Sequence, residues 1–141
     1  MTDGFEEALA VLEQRAKAEE QPDRYDLRAL LVSLGSLEEK PEGEAWDRLA
    51  RAVAALGESF ERAAQDELSL ACAEHVHAVD PRYLDLPNYD FDYTLAARER
   101  LAARLRAASW LGIAPSPALL AAVEAADERL APYLPGGSPP E

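Results

Sequence analysis

At 141 residues, with a formal net charge of −13 and a single cysteine, the chain is long enough to bury one apolar core without disulfide or metal support. Lone Cys72 excludes an intramolecular disulfide and fits a reducing compartment, and no run approaches the roughly 18 apolar residues of a membrane helix. Phosphate recognition needs clustered Lys and Arg, so the acidic balance argues against direct nucleic-acid binding.

In chain order, the first predicted helix runs from Thr2 or Asp3 to Glu19, with Phe5, Leu9, Leu12 and Ala16 at three-to-four spacing. Its acidic start, Met1-Thr2-Asp3-Gly4-Phe5-Glu6-Glu7, is unlike a secretory leader, and a cytoplasmic protein is the expectation. After the break at Gln21-Pro22-Asp23, Leu27, Leu30, Leu31 and Leu34 form the face of a shorter helix ending near Gly35. Residues 36–43 read as a charged loop. From Trp46 to His75 one helical phase persists through Leu49, Val53, Leu56, Phe60, Ala64, Leu68 and Ala71. Gly57 lies inside it, so residues 46–79 are either one helix or two with a bend. Pro81 ends this phase, because Asp80 before it is driven from the α region.

Residues 80–93 are predicted to be an irregular loop cut by Pro81 and Pro87, with Phe91 and Leu86 as its core anchors. A further helix starts near Asp92 or Thr94, with Asp92 a natural N-cap, and stops at Gly112. Ser116-Pro117 signals the final helix, a capping hydroxyl followed by proline at the first helical position, which runs to Pro132. The pattern predicts an all-α, single-domain bundle of five or six helices over residues 1–134 and a disordered tail over 135–141. The dominance of Ala, Leu, Arg and Glu supports helix and resembles the bias of a GC-rich bacterial genome.

Charge is unevenly spread. Residues 1–45 carry a net of −7 and residues 80–93 a net of −3, whereas residues 94–134 are at +1. Arg98, Arg100, Arg104 and Arg106 flank the Leu101–Leu105 stripe of one helix, and their expected partners are the acids of the first two helices.

Three chemistries compete for the function. Tyr83, Tyr89, Asp90, Asp92 and Tyr93 form the candidate partner-binding set, because tyrosine gives a rigid apolar face with a polar tip and the aspartates suit a cationic partner. On this reading the protein is a non-catalytic acidic binder of a basic protein, as inhibitor, immunity-type protein or adaptor, with no cofactor. The competing structural reading puts these aromatics in the core. The second chemistry is a metal-dependent enzyme using His75, His77, Asp80 and loop aspartates. His75 and His77, however, point about 200° apart on a helix, and a zinc site needs three or four ligands. On the bland reading, His75 is a hydrogen-bonded core imidazole and His77 an exposed one. Asp90 and Asp92 as an acid–base pair would need environments that separate their pKa values. The third is a subunit that self-associates through alanine-rich helix faces.

Overall fold

The computed structural model describes residues 3–137. Among them seven α-helices follow in order: α1 Asp3–Lys17, α2 Arg24–Gly35, α3 Glu44–Leu56, α4 Glu58–Ala78, α5 Pro81–Leu84, α6 Phe91–Trp110 and α7 Pro117–Leu130. Two 3₁₀ turns, Ala131–Tyr133 and Pro135–Gly137, complete the path, and no strand occurs among the described residues. The all-helical expectation holds, with seven described helices in place of five or six: the division at Gly57 makes six, one of the two expected outcomes, and a short helix at Pro81 makes the seventh. Gly57 divides the long phase at φ 61°, ψ −133°, a region closed to most L side chains, and so serves as the last cap of α3 and the first of α4. Proline at its first position and Asp80 as N-cap let Pro81–Leu84 form one helical turn in a segment expected to be irregular.

Other boundaries follow from caps. α1 stops at Lys17 rather than Glu19. Glu19 turns left-handed at φ 56°, while Glu20 N–H donates to Arg15 O at 2.9 Å and Glu19 N–H to Ala16 O at 3.2 Å. This is the paired closure of a Schellman cap. Asp23 caps α2 in a reciprocal box with Asp26. Ser116 accepts from Leu119 N–H and Pro117 opens α7, as the sequence predicts. α7 ends at Leu130, with Pro132 inside the following 3₁₀ turn. The expected tail begins with the turn Pro135–Gly137, and its remaining residues 138–141, like residues 1–2, lie outside the described residues.

The main core gathers Phe5, Leu9 and Leu12 of α1, Leu27, Leu30, Leu31 and Leu34 of α2, Leu49 of α3, Phe60 and Leu68 of α4 and Leu101 of α6. Burying each large side chain contributes about 1.5–3 kcal/mol, so the leucine stripe of α2, touching α1, α4 and α6, is the centre of the apolar stabilisation. At Gly35 the backbones of α2 and α6 come so close that a Cβ would overlap the carbonyl of Ala103. Arg106 of α6 caps the same place by donating to Gly35 O, a cation on the negative end of α2. A smaller cluster of Val79, Leu84, Ala126 and Leu130 lies under the segment joining α5 to α6.

Candidate functional site

The segment between α4 and α6 is built by two successive caps. Asp80 is extended (φ −62°, ψ 127°) and accepts from Arg82 N–H at 2.9 Å, while its carboxylate also holds the Arg82 guanidinium at 2.8 Å. The Arg82 contacts pull the Asp80 pKa down to about 2. Ten residues on, Asp90 rather than Asp92 is the N-cap of α6, accepting from Asp92 N–H at 2.9 Å. The helix therefore begins at Phe91, and Asp92 lies in its first turn, where the dipole favours a carboxylate.

The five candidate residues divide by environment. Tyr89 points inward: its hydroxyl lies 2.6 Å from Thr94 Oγ1, and its ring meets Phe91 edge-on at 5.2 Å. Thr94 is fully buried and donates to Ala78 O at 3.1 Å, so Tyr89 and Thr94 together close the end of α4. Tyr83 is half-buried against His77, with ring centroids 5.3 Å apart. Asp90, Asp92 and Tyr93 face solvent. Phe91 is an anchor as predicted, half-buried on the smaller cluster, but Leu86 is not: it is 52% exposed. The sequence gives Leu86 the wrong side because the turn of α5 rotates the chain after Leu84, which takes the buried place. Tyr133 joins this end of the bundle, its ring 5.9 Å from Phe91 and its hydroxyl donating to the Asp85 carboxylate, which raises the hydroxyl pKa.

The buried charges form a second constellation. His75, with no exposed surface, places Nε2 2.8 Å from Asp127 Oδ1. Arg98 donates Nε and Nη2 to the two oxygens of that carboxylate at 2.9 and 3.1 Å. Nearby in the α4–α6 seam, Arg104 Nε meets Glu67 Oε1 at 3.2 Å and Nη1 donates to Arg100 O at 3.1 Å. Arg100 faces Glu74 at 3.5 Å. The arginines of α6 thus bind α4, α7 and the end of α2, not the acids of the first two helices. Those acids are used locally: Asp26 by Arg15 at 3.0 Å, Glu6 and Glu13 by Arg48.

The metal-ligand candidates do not converge. His75 is bound to Asp127, Asp80 to Arg82, and His77 is exposed beside Tyr83. No group of three or more His, Cys, Asp or Glu positioned to hold a metal ion occurs among the described residues. Cys72 is buried, its Sγ 3.9 Å from Leu119 O, and burial pushes the thiol pKa up, away from the reactive thiolate. No described helix is long and apolar enough to cross a membrane.

Glu67, Thr94, Arg104 and Asp127 carry the internal polar structure, and the candidate set drawn from the sequence contains none of them. A signal for them exists. Glu67 falls between Ala64 and Ala71, Arg104 between Leu101 and Ala108, and Asp127 between Val123 and Leu130, all on apolar stripes. A charge at a stripe position marks a buried pair. Compared with known protein families, with curated proteins and with solved structures, the chain matches none.

Proposed function

We propose that this is a non-catalytic binding protein that docks a basic protein partner at the end of the bundle bounded by residues 85–95 and Tyr133, in a cytoplasmic setting. The observation that carries the reading is the company kept by exposed apolar side chains there. Leu86, Tyr93, Leu95 and Tyr133 are all 38% exposed or more, with Tyr93 and Leu95 on opposite sides of α6, and exposed Asp85, Asp90 and Asp92 lie in the same stretch of chain. Asp90 and Asp92 have no cationic partner among the described residues, unlike Asp80. Apolar area supplies affinity, and unneutralised carboxylates supply steering and choice of partner. Tyr89 serves this face from beneath by fixing the start of α6 through Thr94, and half-buried Tyr83 borders it beside His77.

The test compares immobilised wild type with an Asp90→Asn, Asp92→Asn, Tyr93→Ala variant in affinity capture. Asparagine caps a helix as well as aspartate does, so the variant keeps α6 while losing charge and ring. The expected result is a basic protein held by wild type, released by raised salt, and lost by the still-helical variant. Capture indifferent to both salt and substitution would reject the reading.

A further inference from the structure

His75 sits where α4, α6 and α7 meet, and its hydrogen bonding leaves no place for a second proton. A carboxylate only accepts, so Nε2 carries the hydrogen shared with Asp127, and in the neutral ring Nδ1 is a bare acceptor. That Nδ1 is buried and has no partner. The Asp127 carboxylate is already balanced by the two-pronged Arg98 contact. A proton on Nδ1 would therefore add a second cation to one carboxylate and bury an N–H without an acceptor.

The charged groups around the ring all weigh in known directions. From α7 come Asp127 and Arg129, and from α6 comes Arg98; burial is the largest influence and lowers the His75 pKa, the Asp127 contact opposes it, and both arginines add to the lowering. On α4 itself Glu74 is engaged by Arg100, and His77 is exposed. α2 also meets α4 and brings leucine to the shared core, while its Asp26 is held by Arg15 and its Arg28 is exposed.

We propose that His75 is the trigger of an acid-operated latch, whose protonation frees α7 and the turn Ala131–Tyr133 while α1, α2, α4 and α6 stay folded. α7 is the element that yields because it packs chiefly on α4 and is the last long helix described. It can swing away without breaking the chain between the other helices. Releasing it hydrates both the imidazole and Asp127. α7 contributes Leu119 and Val123 to the main core, and on its release the leucines of α1, α2, α4 and α6 keep their contacts with one another. Tyr133 follows α7, so Phe91 and the Asp85 carboxylate lose their cover. The latch stands whether or not the 85–95 face binds a partner.

Hydrogen exchange between pH 7.5 and 5.0 tests it on the whole chain. A histidine whose folded pKa is depressed contributes fully above its free value and loses that contribution as pH falls from there toward the folded value. Protection of α7 amides, corrected for intrinsic exchange, should be flat above about pH 6.5 and then fall about tenfold per pH unit. Amides of α1 and α2 should stay better protected than those of α7 at every pH, because they open only with the whole fold. His75→Gln should abolish the slope, and His77→Gln should keep it. A flat α7 profile, α7 protection no lower than that of α1 and α2, or a slope that survives in His75→Gln would overturn the latch. Should His75→Gln fail to fold, ring NMR of the wild type decides: a docked His75 that is neutral at pH 6 supports the latch, and a protonated one overturns it.

Discussion

At the α1–α2–α3 end the helices meet through leucine and phenylalanine, whereas α4, α6 and α7 meet across charge. Each of the buried polar residues described, Glu67, His75, Thr94, Arg104 and Asp127, lies on one of those last three helices. The apolar partners differ accordingly. α2 buries four leucines, while most buried apolar residues of α4 and α6 are alanines, among them Ala63, Ala64, Ala71, Ala97, Ala107 and Ala108, beside Phe60, Leu68 and Leu101. Alanine buries little area and fits many registers, so a seam of alanines is close but poorly specified. Directional pairs at Glu67–Arg104 and His75–Asp127–Arg98 supply the register that shape alone does not.

The largest effect that would sharpen this contrast is at Arg104. Removing it alone, as Arg104→Met, leaves Glu67 charged and buried, with Oε2 already lacking a partner. The expected loss is about 3–5 kcal/mol in urea unfolding. Adding Glu67→Leu should recover most of it, because a well-packed apolar replacement of a buried pair is often neutral or better. A double variant as unstable as the single one would mean that the pair is indispensable for more than its charge. A stable double variant with blurred α4 and α6 NMR signals would show that the pair sets register.

The leucine half is legible in sequence for the reason that makes it simple. Apolar burial is periodic and non-directional, so Leu27, Leu30, Leu31 and Leu34 announce their face, and Ser116-Pro117 announces its helix start. The charged half resists because partner choice is tertiary: nothing local tells Arg98 to take Asp127, 29 positions away, instead of an acid of α1 or α2. The choice of cap between Asp90 and Asp92 is a two-residue question, decided here by Phe91 turning into the smaller cluster. At the proposed face, Asp90, Asp92 and Tyr93 are legible as exposed, whereas the inward turn of Tyr89 depends on a carbonyl of α4 and a hydroxyl of α6 that composition does not reveal.

A middle-sized effect is expected at Thr94, where the charged half is polar without being ionic. Thr94→Val keeps the shape of a fully buried side chain but loses the donor to Ala78 O and the bond to Tyr89. The expected cost is about 1 kcal/mol, read as an earlier urea midpoint. Tyr89 would also lose its tether, so its ring should gain mobility. An unchanged midpoint would leave the hydroxyl pair without a part in stability and shift the weight of this end onto Phe91 and Leu84.

The smallest effect belongs to the leucine half, and it guards the comparison. Arg48 joins α3 to Glu6 and Glu13 of α1, and its guanidinium lowers the Glu13 pKa, so the pair persists at neutral pH and is lost as pH falls through the depressed Glu13 value. All three side chains are substantially exposed, and at 1 M salt the screening length shrinks to about 3 Å. Arg48→Ala should therefore give a small loss at low salt and none at high salt. Leu49, the next residue, is fully buried in the main core, so α3 stays seated on α1 by apolar contact when the charge is gone. If Arg48→Ala instead destabilised as much as Arg104→Met, charge would be holding both halves, and the contrast between a leucine-built end and a charge-registered end would fall.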